Sequence, residues 1–531
     1  MAELSLSTAG LQDRAAWEEK GYQLPQYDRA AMIERTKANP EWIHFGAGNI
    51  FKAFQCRCVQ GLLNEGVVDT GIVAVERTKK GEDTHDGLAV VVTLKSDGTV
   101  DKEVVGSIAE TVYLYGSEDR MKEIFANPSL KMASFTITEK GYAITDTKGE
   151  LTEDIKADIE AGPDGAKTYM GKVAALLLAR YNAGELPIAM VSMDNCSHNG
   201  DKLKTAISTV VNGWSEKGLV PAGFEDYILG GEKVSFPWTM IDKITPSPDL
   251  SVGAILEEDG LHGFAPVRNA RGTVTAPFVN AEETEYLVIE DSFPNGRLPW
   301  EKAGFYFTDR ETVDKVERMK VTTCLNPLHT TLAVYGCLLG YKRICEEMKD
   351  PELTDMIKRI GYVEGMPVVT DPGILNPKEF IDAVINVRLP NPFMPDAPQR
   401  IATDTSQKVP VRFGETIKGY IKNGLDLANL KLIPLVYAGW LRYLMGVDDE
   451  GNEMPLSPDP LLDTLCPMLA GAKLGEDFDA KAVLEPILSN DKIFGVNLCE
   501  IGLEDKICGY FKELCAGPGA VRATLKKYVH D

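Results

Sequence analysis

No stretch of about 18 consecutive apolar residues occurs in the 531-residue chain, so no membrane span is expected. Residues 1–17 are polar and amphipathic and lack the apolar segment of a secretory signal. The ten cysteines include no C-x-x-C pair, which argues against a disulfide framework and for reduced thiols in a cytoplasmic protein. Histidine is scarce. The six, at positions 44, 85, 198, 262, 329 and 530, form no H-E-x-x-H and no Cys/His metal spacing, so no metal is expected. Positive charge is in deficit. Lys and Arg number 56 against 79 Asp and Glu, a formal net charge of −23. That excludes nucleic acid and an anionic membrane as main partners, and leaves room for a local cationic pocket around a small anionic substrate. No internal repeat or low-complexity tract is present, and nothing in the pattern fixes an oligomeric state.

The length suits two to four domains. Apolar runs at 42–45, 71–75, 131–137 and 187–193 read as buried strands. Helical periodicity follows to about residue 65, over 168–183 and from Asn199. This alternation predicts an α/β fold with a Rossmann-type doubly wound sheet. Segments 88–94 and 100–115, rich in Val and Thr around the turn Ser96-Asp97-Gly98, read as a β-meander inserted into it. From about Gly304 helical periodicity dominates. The expected organisation is a dinucleotide-binding domain over 1–303 and a mostly α-helical substrate-binding domain over 304–531, with the reacting centre in a cleft between them.

The first strand runs directly into Gly46-Ala47-Gly48, and a helix starts near Asn49 and Ile50. Gly46 permits a tight turn, Gly48 lets the backbone approach a pyrophosphate, and the helix start offers free N–H groups. Phe51 stands where a third glycine is usual, so the motif is incomplete. Glu76, closing the next strand, is placed to accept from the ribose hydroxyls of NAD. Arg77, Lys79 and Lys80 follow and suit a 2′-phosphate. NAD is expected ahead of NADP.

The densest chemical cluster is Lys320-Val321-Thr322-Thr323-Cys324-Leu325-Asn326-Pro327-Leu328-His329. Asn before Pro reads as a helix N-cap followed by proline at the first helical position. His329 then falls in the first turn, and Lys320 in a β-branched run expected to stay extended. Oxidising an alcohol needs a base for the hydroxyl proton, and a lysine stripped of water can serve. An asparagine amide can donate to the developing alkoxide. By spacing alone the same residues also suit a cap, a core histidine and a surface lysine. A second cluster, Asp194-Asn195 with Asn199-Gly200, follows the strand 187–193 at the carboxyl edge of the sheet. Asn195 there reads as a further donor to the substrate oxygen, or as part of a plain turn.

These motifs stand in a longer ordered series. It comprises Leu24-Pro25-x-Tyr27-Asp28-Arg29, Ile43 through Asn49, Thr136-Ile137-Thr138-Glu139-Lys140-Gly141-Tyr142, Asp194-Asn195 with Asn199-Gly200, Asp242-Lys243-Ile244-Thr245-Pro246, Arg388 with Asn391-Pro392, and Asp404-Thr405-Ser406-Gln407-Lys408. The series spans nearly the whole chain and resembles the polyol-specific long-chain dehydrogenase/reductase family, which includes mannitol dehydrogenases. The resemblance implies metal-independent, NAD-dependent hydride transfer between the cofactor and the secondary alcohol of a sugar acid or polyol. It implies Lys320 as general base or acid, Asn195 and Asn326 as holders of the reacting oxygen, and His329 as the group that orients it. Asp242, Arg388 and Lys408 match motif positions expected to face substrate. The family spaces its lysine and asparagine as K-x4-N-x2-H, whereas five residues part Lys320 from Asn326. One extra residue in a continuous helix would rotate the lysine by about 100°. The expectation is that it falls in extended chain ahead of a capped helix. Lys408, Arg388, Arg400 and Arg412 suit a uronate carboxylate, so fructuronate and mannonate are the expected pair, with mannitol or tagaturonate chemistry as alternatives. A non-catalytic nucleotide-binding protein is the rival of another class, marked by binding without turnover.

Overall fold

Consecutive rather than alternating apolar residues mark strand β1 (Trp42–Phe45), and a computed structural model shows the reason. Ile43 and Phe45 enter one core with Val73, Val75, Leu203 and Trp214, while Trp42 enters another with Ala74, Met132 and Trp300. Both faces are covered, as a parallel sheet requires. The other strands of this sheet are β2 (Ile72–Glu76), β3 (Ile108–Tyr113), β4 (Met132–Phe135), β5 (Ile188–Ser192) and β6 (Val234–Ser235). All pair in parallel, in the order β3-β2-β1-β4-β5-β6. The order reverses between β1 and β4, and at such a point the strand ends leave a crevice for a ligand.

Residues 3–79, 85–146, 148–268 and 274–530 are described; Lys80, read above as a 2′-phosphate contact, lies outside them. The chain divides into two units, Met1–Lys95 with Thr99–Asp314, and Lys315–Asp531 with Ser96–Gly98. In the first unit, Ala89–Leu94 pairs antiparallel with Val100–Val105, in a second sheet flanked by Tyr22–Gln23 and Phe278–Glu282. The reading of 100–115 as one meander is corrected here. Only its first part stays in the hairpin, whereas Ile108–Tyr113 crosses to the main sheet and lies parallel to β2. The cause is local. Ile108, Ala109 and Val112 are buried, and Gly106-Ser107 breaks the strand ahead of them. The lead-in over 1–40 holds two α-helices, Arg14–Glu19 and Arg29–Ala38, with the short strand Tyr22–Gln23 between them.

The second unit is helical. Its centre is Leu432–Tyr443, all twelve residues buried, packed against Asn326–Leu338 and Glu504–Leu514. Burying a large apolar side chain such as Leu441 contributes about 1.5–3 kcal/mol, so this hydrophobic helix anchors the unit without disulfides. All ten cysteines are free. Among the described residues no helix is long and apolar enough to cross a membrane.

Candidate active site

The turn after β1 is built around Gly46. Its φ is +96°, and a Cβ there would lie 2.2 Å from the Thr136 carbonyl oxygen, so only glycine fits. A Cβ on Gly48 would meet nothing nearer than 3.8 Å, which leaves open space beside the turn. The chain then turns helical at Asn49 and Ile50 and passes through a π turn, Phe51–Cys56, before Arg57–Asn64. Phe51 explains the incomplete glycine pattern. It is fully buried and stacks on His44 with ring centroids 4.0 Å apart and planes 1° apart. Helix and sheet are joined here by an aromatic pair in place of a close glycine contact.

At the carboxyl ends of β1 and β4 lies a cavity of about 780 Å³, lined by Gly46, Arg77, Tyr115, Ile137, Thr138 and Tyr169 among others. The Arg77 guanidinium sits 5.8 Å from the Tyr115 ring centroid, and Lys79 is exposed. Glu76 lines a second cavity of about 320 Å³ with Ala47, Asn49, Lys52 and Tyr113. A tight glycine turn, a helix start, an acid at the end of β2 and a large crevice at the reversal of strand order together fit a dinucleotide.

The Asp194 carboxylate ties two loops together. It accepts from the Ile137 and Thr138 N–H groups, both at 2.9 Å, and from the Tyr142 hydroxyl at 2.5 Å. Burial still pushes its pKa up against these donors, and pushes the Tyr142 hydroxyl well up. Thr138, held this way, has φ 65° and ψ 158°, a conformation that only surrounding contacts sustain in a non-glycine residue. Asn199 completes the second motif. Its amide donates to the Asp194 carbonyl at 3.0 Å and to Thr239 Oγ1 at 2.8 Å, and accepts from the Thr239 N–H at 3.0 Å. A Cβ on Gly200 would fall 2.6 Å from the Phe236 carbonyl oxygen. Between these fixed points stands Asn195, its side chain exposed. Asp242 ends the strand Thr239–Asp242 opposite Tyr286 and is 2% exposed. Its neighbour Lys243 donates to the Glu282 carbonyl at 2.6 Å and to Glu285 at 2.7 Å.

In the second unit two expectations are corrected. Lys320 does not lie in extended chain. The helix Arg310–Met319 continues into a π turn, Lys320–Cys324, closed by the Leu325 N–H donating to the Lys320 carbonyl at 3.1 Å. Asn326 is not the N-cap either. The break falls at Leu325 (φ −132°, ψ −61°), and Asn326 is the first residue of Asn326–Leu338 with no side-chain capping bond. The β-branched run thus stays helical because the flanking helices hold it. A π turn closes over five residues rather than four, so it takes up one inserted residue without the 100° rotation a continuous α-helix would impose. Lys320 is only 5% exposed.

Asn326, His329 and Thr330 share one helix face by their spacing. Arg412 donates to Thr330 Oγ1 and reaches toward the Asn326 carbonyl at 3.5 Å. The His329 Nε2 lies 3.4 Å from Asp396 Oδ2. Burial lowers the His329 pKa despite this acid, aided by the charges of Arg388 and Arg412; the imidazole is therefore neutral at pH 7. Asp396 also pairs with Arg400. Arg388 is buried at the end of the π turn Val384–Arg388. Lys408 donates to the carbonyls of Ile401 and Thr403, and burial together with Arg412 brings its pKa down to about 8. Asp396 was missed in the sequence because Pro395-Asp396-Ala397-Pro398 reads only as a turn, and the acid acts at a distance of 67 residues. Among the described residues no group of three or more His, Cys, Asp or Glu is arranged to hold a metal ion.

Residues 40–302 match the mannitol dehydrogenase Rossmann domain and residues 312–505 the mannitol dehydrogenase C-terminal domain. A D-mannonate oxidoreductase of Thermotoga maritima is 51% identical over 537 residues, covering 99% of each chain. A substrate-free D-sorbitol dehydrogenase structure aligns with TM-score 0.78 at 25% identity, over 95% of this chain and 97% of that one. Pseudomonas fluorescens mannitol 2-dehydrogenase, solved with NAD and D-mannitol, aligns with TM-score 0.67 at 26% identity, over 100% of both chains.

Proposed function

The chain belongs to the mannitol dehydrogenase family, and from that premise we propose that it interconverts fructuronate and D-mannonate with NAD. It is an oxidoreductase acting on a CH–OH group. The choice of sugar acid follows the 51% identical relative, named D-mannonate oxidoreductase, and the cationic set Arg388, Arg400, Lys408 and Arg412, which suits a carboxylate. The nicotinamide, when bound, supplies or accepts the hydride. Gly46, Gly48, Asn49 and Ile50 hold the pyrophosphate, and Glu76 takes the ribose hydroxyls.

The observation that carries the chemistry is a lysine 5% exposed at the helix break that presents Asn326 and His329. In the reducing direction Lys320 gives its proton to the carbonyl oxygen, and in the oxidising direction takes it from the hydroxyl. The amide of Asn326 donates to that oxygen and stabilises its negative charge. His329, neutral and backed by Asp396, orients the substrate by hydrogen bonding. The free cysteines suit a reducing cytoplasm as the site of action.

The test is loss of NADH absorbance with fructuronate, tagaturonate and fructose in turn. Turnover with fructuronate at least about 100-fold above fructose, in kcat/KM, supports the sugar-acid reading, since a buried cation deprived of its carboxylate costs roughly 3 kcal/mol, and faster turnover with fructuronate than with tagaturonate supports the choice between the two acids. Fructose turned over best would overturn the sugar-acid assignment. NADH binding without turnover on any ketose would overturn the enzyme.

A further inference from the structure

His44 is wholly buried, yet both ring nitrogens are bonded. Nδ1 lies 2.7 Å from Ser134 Oγ, and Nε2 lies 2.8 Å from Thr136 Oγ1. The roles in this pair of contacts follow from the groups at either end. The Trp42 indole N–H, which can only donate, points to Ser134 Oγ at 2.6 Å. The serine hydrogen is then free for Nδ1, so the histidine proton sits on Nε2 and is donated to Thr136 Oγ1. The Thr136 hydroxyl in turn donates to the Gly46 carbonyl oxygen at 2.9 Å. Reversing the imidazole would leave the Ser134 hydrogen without an acceptor and take the hydroxyl donor from Gly46. A doubly protonated ring is ruled out at neutral pH, because burial lowers the His44 pKa to about 3.

The chain of donors ends on the peptide that shapes the phosphate turn. The Gly46 carbonyl also accepts from the Gly48 N–H at 2.6 Å. With two donors on that oxygen, the planar trans peptide aims the Ala47 N–H the opposite way. Were the peptide to flip, an electronegative oxygen would replace an N–H where a pyrophosphate must approach. Phe51, stacked flat on the imidazole, keeps the ring from turning. We propose that Trp42, Ser134, His44 and Thr136 form a one-way hydrogen-bond relay that fixes the Gly46 peptide for the dinucleotide pyrophosphate, which makes His44 and Thr136 positioning residues for cofactor binding. This rests on the reading of Gly46–Gly48 as the phosphate turn. It assigns a buried histidine with no part in proton transfer a role in cofactor affinity.

The test uses the full chain and NADH itself. Thr136→Val cuts the relay at its last step without changing shape, and Thr136→Ser keeps the hydroxyl. The valine variant should bind NADH about tenfold more weakly, as expected for a lost buried hydrogen bond, and raise KM for NADH alike while kcat falls far less. The serine variant should bind within about twofold of the parent. In nitrogen NMR of histidine-labelled parent protein, His44 should carry its proton on Nε2 and not titrate between about pH 5 and 9. A valine variant with parental NADH affinity and parental melting temperature overturns the proposal. So does a proton found on Nδ1, a result that decides the matter even if the valine variant does not fold. A parent chain that fails to bind NADH removes the cofactor reading and this inference with it, an outcome distinct from equal binding by parent and variant.

Discussion

Glu347 is the least comfortable carboxyl in the second unit, and replacing it should stabilise the protein. It ends the short helix Ile344–Glu347 and is 0% exposed. Neither carboxylate oxygen has a hydrogen-bond partner. The group presses on Gly336, where a Cβ would lie 2.1 Å from Oε1, so no water can be accommodated on that side. Burial, with Asp350 and Glu346 adding like charge, pushes its pKa from 4.5 up to about 10. The folded protein therefore binds a proton that the unfolded chain releases anywhere between those values. Stability is unaffected below about pH 4.5 and falls as pH rises toward 10, because the native state holds the extra proton. At pH 7 the uptake costs about 3 kcal/mol, at 1.36 kcal/mol per pH unit above the unfolded pKa. Glu347→Gln keeps the shape and removes the proton. It should raise the melting temperature of the helical unit by roughly 6–12 °C at pH 7, at about 2–4 °C per kcal/mol for a unit of this size. The gain should vanish near pH 4 and grow toward pH 9. Calorimetry of parent and variant at four pH values reads this directly. A gap that is the same at pH 5 and pH 8, or a glutamine variant that melts lower at pH 8, would show that the carboxyl is not held neutral and refute the reasoning.

Three further outcomes follow from the site. Lys320→Met should lower kcat by about 10²–10⁴ while NADH affinity stays within about threefold, measured by stopped-flow turnover and fluorescence titration; a variant retaining a tenth of parental kcat removes the lysine from proton transfer. Gly46→Ala forces a Cβ into the Thr136 carbonyl at a φ of +96°, and should cost about 1–3 kcal/mol along with most NADH binding, with denaturant unfolding and titration as readouts. Glu76→Ser should raise the ratio of kcat/KM for NADPH over NADH at least about tenfold, since it removes an acid that repels a 2′-phosphate; an unchanged ratio would place the ribose away from this residue.

The parts of the molecule legible in the sequence are those set by burial and by single special residues. Trp42–Phe45 and Ile72–Glu76 read as strands because both their faces are covered. Gly46 read as a turn because nothing larger fits beside Thr136. Ile108–Tyr113 suits a meander and an edge strand of the parallel sheet equally. Its sheet was decided by what packs on it, which composition does not carry. The Asp194 staple shows a further limit. Asp194, Thr138 and Tyr142 each belonged to a motif, but the bonds that join them cross more than 50 positions of chain.

The helical unit was hardest to read because its spacing is not that of an α-helix. Five π turns are found among the described residues, at Phe51–Cys56, Lys320–Cys324, Ile360–Gly365, Val384–Arg388 and Pro410–Gly414, the last four in the helical unit. The first continues the helix after the phosphate turn, the second begins at Lys320, the fourth ends at Arg388 and the fifth contains Arg412. A π turn gives up regular i→i−4 bonding for one extra residue of reach, and such turns occur frequently at functional sites. An α-helical wheel drawn through Lys320 and Asn326 therefore misdirects by about one residue, or 100°, at the one place where direction matters most. Deleting Val321 tests this. If the widened turn only absorbs an extra residue, the shortened segment should close as a regular α-helix, keep Lys320 facing as before, and retain kcat within about tenfold. If the π turn itself aims the amine, the deletion should cost as much as Lys320→Met while the melting temperature stays within a few degrees of the parent.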